Sequence, residues 1–248
     1  MKIIKTEALL LKKIKFSDSS NIVYFYTKEH GKVAVIAKGA RQVKNQFHGY
    51  LEPLSHLQII YHEKQFREVH TLTKVDLIHN FYIDVKDLRA NAYGMTILEV
   101  VSKIVHDNEE NVDLFKIIIN MLSAIEQNPL RADIALILFM MGAIKLLGYH
   151  INLENCHYCG VQLDGFFYHE SNPQPLCIDC IDKNTKEISK ALVFWLKKAD
   201  SIDLRKKISI QSEILESEKL IDFLINYASV YFDFKPKLHS LELISYLK

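Results

Sequence analysis

Near Asp84 the spacing of apolar residues along the chain changes from two to between three and four, which rules out a single uniform architecture. Before that point, β-branched and apolar residues alternate in short runs broken by turn residues, the pattern of half-buried sheet. The runs predict strands over Ile3–Ile14, Ile22–Thr27, Lys32–Lys38, His56–His62 and Glu68–Leu77. Reversals fall at Ser17-Asp18-Ser19-Ser20 and at Glu29-His30-Gly31, where glycine permits the positive φ of a tight hairpin. Five strands within residues 1–80, with one longer polar loop at Gly39–Gly49, fit a small closed barrel of OB type, whose open face commonly binds oligonucleotides.

Beyond Asp84, Leu88, Ala92, Met95, Leu98, Val101 and Ile104 fall on or near one helical face. A second helix follows Asn111 and stops before Asn128-Pro129, because proline holds its predecessor away from helical geometry. The third, Leu130 to Leu147, is apolar almost all round and belongs at the centre of a helical core, with Gly148 as its C-terminal cap. Further helices are expected over Ser189–Ala199, Ser217–Phe232 and Leu238–Leu247.

All four cysteines sit as Cys156-x-x-Cys159 and Cys177-x-x-Cys180, with 17 residues between the pairs. That spacing suits a four-thiolate zinc site, in which each tight turn aims two sulfurs at one ion and the intervening segment folds back as a hairpin. Val161–His169, with a turn at Asp164-Gly165, supplies the hairpin. Disulfides are disfavoured without a secretory signal, and a redox pair needs no second matching motif. Four thiolates close the metal's coordination shell, so one structural Zn2+ is expected, with His157 and His169 as bystanders. The fold class is therefore α+β: an N-terminal OB-type β-barrel followed by an all-helical domain with an inserted four-cysteine zinc module. The boundaries are 1–80 for the barrel, 81–149 and 186–248 for the two helical parts and 150–185 for the zinc finger.

Catalytic signatures are missing. There is no Gly-x-x-x-x-Gly-Lys-[Ser/Thr], Gly-x-Gly-x-x-Gly or Gly-x-Ser-x-Gly, and none of the eleven histidines begins the His-x-Glu of zinc deaminases. No enzyme is expected. The segment Met1 to Lys13 lacks the apolar core of a signal peptide, and the longest uncharged apolar run, Ile134 to Ile144, is too short to cross a bilayer, so a cytoplasmic protein without membrane contact is expected. The net charge of +1 hides an asymmetry, because residues 1–80 hold 13 Lys and Arg against 7 Asp and Glu. The barrel is the basic part of the chain.

Thr27-Lys28-Glu29-His30-Gly31-Lys32, then Ala37-Lys38-Gly39-Ala40-Arg41, then Leu51-Glu52-Pro53 follow in an order that closely resembles the N-terminal domain of the RecO family. Leu146-Leu147-Gly148-Tyr149 and Asn155-Cys156-x-x-Cys159-Gly160 resemble the join between that family's helical domain and zinc finger. The resemblance implies a non-enzymatic DNA repair and recombination mediator of the RecF pathway. Such a protein binds single- and double-stranded DNA, anneals complementary strands, and works with RecR to place RecA on strands coated by single-strand-binding protein. It also implies association with the nucleoid and recognition of the acidic, apolar C-terminal tail of single-strand-binding protein. In this context Lys38, Arg41 and Lys44 become phosphate-binding candidates. Tyr24, Tyr26 and Phe47 are equally base-stacking or core residues, and Arg131 and Lys145, four turns apart on the third helix, become rim cations for the tail. Two departures weaken particular contacts: Met140-Met141-Gly142 stands where the family often carries charge, and His239-Ser240-Leu241 where it tends towards Lys-Ser-Arg. A zinc-containing OB-fold RNA-binding protein is the competing reading, since barrel and ribbon alone do not distinguish sugars.

Overall fold

The computed structural model describes residues 2–42, 44–64, 66–211 and 213–246. Val43 of the polar loop and Leu247, the expected end of the last helix, lie outside them. The alternating segment forms β1 (Lys2–Phe16), β2 (Ser20–Thr27), β3 (Gly31–Ala37), β4 (Ser55–Glu63) and β5 (Val69–Asn80). They close into a barrel in the order β1-β2-β3-β5-β4, with β3 and β5 parallel and the other pairings antiparallel. Alternation puts Val23, Phe25, Val33, Val35, Leu57 and Ile59 inside. Only Lys2 to Leu9 of β1 pair with β4; past a bulge between Leu10 and Lys12, its second half runs on as a ribbon with β2.

The 3.6-residue repeat forms α1 (Leu88–Ile104), α2 (Val112–Gln127), α3 (Ala132–Leu146), α4 (Lys190–Asp200), α5 (Ser217–Tyr231) and α6 (His239–Tyr246). Asn111 caps α2 by accepting the Leu114 amide at 2.9 Å. Asn128-Pro129 ends α2 as expected, but Pro129–Arg131 form a separate 3-10 turn, so α3 starts at Ala132 and Arg131 lies before it. α3 is buried on all sides among α1, α2 and α5, and just past its end Gly148, at a φ of +91°, turns the chain away.

The barrel keeps its own interior core, and part of its outer surface joins the core of the helices. Leu9, Tyr26, Leu54 and Phe81 leave the barrel to pack among the helices. Leu54, fully buried at a φ of +62°, points at α1, where a Cβ on Gly94 would come within 3.0 Å of it. The β2–β3 turn docks on the loop between α1 and α2: Asn108 donates its amide to the Lys32 carbonyl at 3.0 Å, and Lys32 Nζ reaches Val105 O and Asp107 Oδ1, both at 3.1 Å. A Cβ on Gly31 would lie 2.2 Å from the Glu109 carbonyl oxygen. This glycine therefore serves a close backbone approach as well as a positive φ.

The cysteine-bearing segment contributes a second sheet, β6 (Phe166–His169), β7 (Asn172–Leu176) and β8 (Lys186–Ile188), in the order β7-β6-β8. The chain folds back between the cysteine pairs, but the turn is at Glu170-Ser171 rather than Asp164-Gly165. Gly165 instead passes close to the junction of β8 and α4, where an added Cβ would meet Ile188 O and Lys190 N at 3.1 Å. No helix among the described residues is long and apolar enough to cross a membrane.

Candidate metal centre and nucleic-acid interface

Two turns build the cysteine cluster. In the first, the Cys156 amide donates to Val161 O at 2.8 Å and the Gly160 amide to Cys156 O at 3.0 Å, with Gly160 in the left-handed region. In the second, the Cys180 amide donates to Cys177 O at 3.1 Å, and the Cys177 amide reaches across to Cys156 Sγ at 3.3 Å. The four sulfurs all lie within 4.8 Å of one another, and those of Cys159 and Cys177 are 3.6 Å apart. A tetrahedral ion with metal–sulfur bonds of about 2.3 Å needs edges of about 3.8 Å, so the set fits a metal ion with no further ligand. Burial of Cys156 disfavours its thiolate, yet the amides of Cys159, Cys177 and Tyr158 outweigh that and hold its pKa down to about 6. Hydrogen bonds to the Cys159 and Cys177 thiols push Cys180 up to about 12. The cluster thus favours one thiolate at its neighbours' expense, a conflict that a divalent cation at its centre removes. His169 is engaged elsewhere, with Asp182 at 3.0 Å, and His157 packs on Tyr158.

At the far end of the chain, Lys38, Arg41 and Lys44 are all exposed, and among the described residues none of them is in an ion pair. Their loop is tethered. The Arg41 amide donates to Ser19 O at 2.9 Å and its guanidinium to Ser17 O at 3.1 Å, which fixes the loop on the β1–β2 turn. Phe47, 3% exposed, anchors the loop's other end in the barrel core. The register places Lys15 opposite Asn21 and Asn21 opposite Ala37, so Lys15 lies two strands from the residue before Lys38. A second row runs Lys12, Tyr24, Ala34, Val69 across four strands.

Of the three aromatic candidates, Phe47 is barrel core and Tyr26 is interdomain core, its hydroxyl donating to Asn111 O at 3.2 Å beside Phe115. Tyr24, half-buried in the outer row beside Lys12, is the one within reach of a ligand. The sequence reading overlooked Phe66 in the β4–β5 turn, which is fully exposed between Lys64 and Arg67. A phenylalanine flanked by cations in a polar turn was the available signal. In OB-folds this loop and the β2–β3 face border the oligonucleotide site.

The family model described as Recombination protein O N terminal matches residues 1–81, and that described as Recombination protein O C terminal matches residues 85–237. The chain belongs to the RecO family. The boundary between the two matches falls where the hydrophobic period changes, and the family is one of DNA repair proteins. DNA repair protein RecO of Caldanaerobacter subterraneus subsp. tengcongensis is 28% identical over 249 residues, covering 98% of this chain and 99% of the relative. That of Clostridium novyi is 26% identical over 100% of this chain and 96% of its own. That of Pelodictyon phaeoclathratiforme is 28% identical over 65% and 62% respectively.

In this RecO-family chain the two rim candidates for a partner peptide do not stand together on one helix. Arg131, in the 3-10 turn, lies 3.5 Å from Glu213, and Lys145, near the end of α3, lies 3.0 Å from Asp200. Leu138, between them in sequence, lines a 420 Å³ apolar pocket with Ile134, Trp195, Ile208 and Ile210, and Lys198 stands on its wall. Lys145 opens onto an adjoining 460 Å³ cleft that shares Ala199 and Ile202 with that pocket.

Proposed function

We propose that this chain is a non-enzymatic DNA repair mediator that binds single- and double-stranded DNA on its barrel and anneals complementary strands. With RecR it helps load RecA onto strands coated by single-strand-binding protein. The observation that carries the reading is the tethered loop of Lys38, Arg41 and Lys44, three exposed cations free of carboxylate partners among the described residues, on the barrel of a RecO-family chain. Unpaired cations neutralise phosphates directly, whereas those in ion pairs must first give up a partner. Neutralisation lowers the repulsion between two phosphate backbones and leaves base edges free, which is what annealing requires; no nucleotide hydrolysis is involved. Tyr24 and Phe66 supply stacking surfaces that accept any base. The Cys156, Cys159, Cys177 and Cys180 site holds one structural Zn2+, which ties β6, β7 and the two turns together.

Recognition of the acidic, apolar tail of single-strand-binding protein belongs to the helical domain in this reading. The apolar pocket at Leu138 and Trp195 receives the tail's apolar side chains, and Lys198 faces its carboxylates, with Lys145 and Arg131 reached only if Asp200 and Glu213 are displaced. The test of the whole is annealing of complementary strands precoated with single-strand-binding protein, with and without this protein. Unchanged annealing rates reject the mediator function. Anisotropy titration with a tail peptide tests the partner: absence of binding at low salt rejects it, and binding unchanged by Lys145→Ala and Leu138→Glu rejects the pocket.

A further inference from the structure

The second half of β1 does more than close the barrel. Past its bulge the ribbon forms one wall of a 550 Å³ cleft between barrel and helices, lined by Leu11, Lys12, Lys13, Pro53, Met95 and Lys103. Lys12 comes from β1 and Lys103 from the last turn of α1, so the two domains bring cations to the same opening. Neither is in an ion pair among the described residues; the Lys103 ammonium lies over the Phe234 ring, 5.7 Å from its centre. Lys13 is held at the rim by Leu51 O at 2.6 Å and Glu52 at 3.4 Å.

The acidic group in the cleft, Glu99, is already committed. Its two carboxylate oxygens accept the amides of His239 and Ser240 at 3.1 and 3.0 Å, capping α6. His239 in turn faces Glu242 at 3.5 Å. The Glu99 carboxylate is thus turned to the α6 N-terminus, and Lys12, Lys13 and Lys103 outnumber it in a cleft with apolar walls. Several of the helical domain's other cations differ, Arg131, Lys145, Lys190, Lys197 and Arg205 among them, each facing a carboxylate.

The cleft is continuous with the barrel's basic face. Lys12 belongs to both, lying in the cleft and opening the row that leads to Tyr24, while Ile14, the next β1 residue on that face, is level with Ile22 and Ile36 towards the Lys38 loop. We propose that the interdomain cleft is a second phosphate-binding site, in which a single DNA strand already held on the barrel continues between the two domains with its backbone on Lys12 and Lys103. The proposal rests on the DNA-binding reading above and extends its surface from the barrel to the helical domain.

Filter-binding or anisotropy titrations with two oligothymidines test it, one of about ten nucleotides, within the site size of a single OB-fold, and one of about thirty. Lys103→Glu is expected to weaken the longer oligonucleotide about tenfold at low salt and to leave the shorter one within about twofold, and Lys103→Gln to reduce the salt slope for the longer one by about 0.7, one phosphate contact. Lys38→Glu with Arg41→Glu should weaken both lengths. Circular dichroism confirms that each variant is folded, and if Lys103→Glu is not, Lys103→Gln carries the test alone. If the Lys103 variants bind both lengths like the parent while the loop variant does not, the cleft is refuted and the barrel site stands. Equal weakening of both lengths by Lys103→Glu also overturns the cleft as an extension beyond the barrel. Parental binding by every variant overturns both.

Discussion

Replacing Gly31 by alanine tests whether the barrel is locked onto the helices or merely rests on them. The residue sits at a φ of +61°, and a Cβ there would lie 2.2 Å from Glu109 O and 2.6 Å from Glu109 C and N. An L-residue in the left-handed region costs about 1–2 kcal/mol, and forced overpacking adds about 1–3 kcal/mol; the stiffer unfolded chain returns up to about 1 kcal/mol. The obstructing atoms are backbone, so no rotamer change relieves them. The Glu109 segment is also held by the Asn108–Lys32 hydrogen bond and the Lys32–Asp107 ion pair. A net loss of roughly 2–4 kcal/mol follows, which for a chain of this size is a fall in Tm of about 5–15 °C. Gly49→Ala is the control, because its φ is +79° but nothing lies within 4 Å of an added Cβ. It should lose only the backbone share, about 1 kcal/mol or less after the unfolded-state gain. Thermal melts followed by circular dichroism compare the two, and a Gly31→Ala variant that melts no lower than Gly49→Ala refutes the close-packing argument.

Chelation of the metal, or Cys156→Ser, should destabilise the chain by roughly 4 kcal/mol or more, read as a lower Tm, and elemental analysis should find one zinc per chain; a melt indifferent to chelator counts against a structural ion. Lys38→Glu with Arg41→Glu should lower DNA affinity for all sequences and flatten the dependence of log K on log salt by about 1.4 for single strands, two contacts' worth, in titrations at several salt concentrations. Phe66→Ala should leave the Tm unchanged, since its side chain is fully exposed, and weaken single-strand binding by about 1–3 kcal/mol, one base stack; a shifted Tm with unaltered affinity would reverse that assignment. Despite partial burial, Lys28 and His56 hold the Glu7 carboxyl below its usual range, so it stabilises the fold above the ordinary glutamate pKa and loses that contribution as pH falls through its lower folded value. The Tm gap between the parent and Glu7→Gln should therefore close on acidification, and a gap that widens contradicts the ion pair.

Elements governed by local periodicity were legible from the residues. The five strands and six helices appear within a few residues of where alternation, Asn111 and Asn128-Pro129 put them, because each buries at least one face in the barrel core or the helical core. The four cysteines were legible for the same local reason, since each pair needs only a tight turn. What escaped depended on distant parts of the chain. Asp164-Gly165 looked like a hairpin turn, but Gly165 is spent on passing the backbone at Ser189-Lys190, a neighbour no local pattern reveals. Tyr26 stayed open between stacking and core in the sequence, because only Phe115 of α2, far along the chain, covers that outer face of β2. Arg131 and Lys145 have the spacing of one helix face, but Pro129 tightened the first turn and Glu213 and Asp200 neutralised them. Phe66 was missed because strand reasoning looks at strands, and it lies between two.

The shared core bears on the order in which the chain is made. Residues 1–81 leave the ribosome first and can close the barrel at once, since Val23, Phe25, Val35 and Leu57 need only one another. Leu9, Tyr26, Leu54 and Phe81 then wait on the surface until α1 and α2 arrive to cover them. A newborn or truncated barrel is thus a folded body with an adhesive side, prone to self-association until its own C-terminal half reaches it. A barrel expressed alone for DNA-binding work should be soluble only once those four positions are made polar.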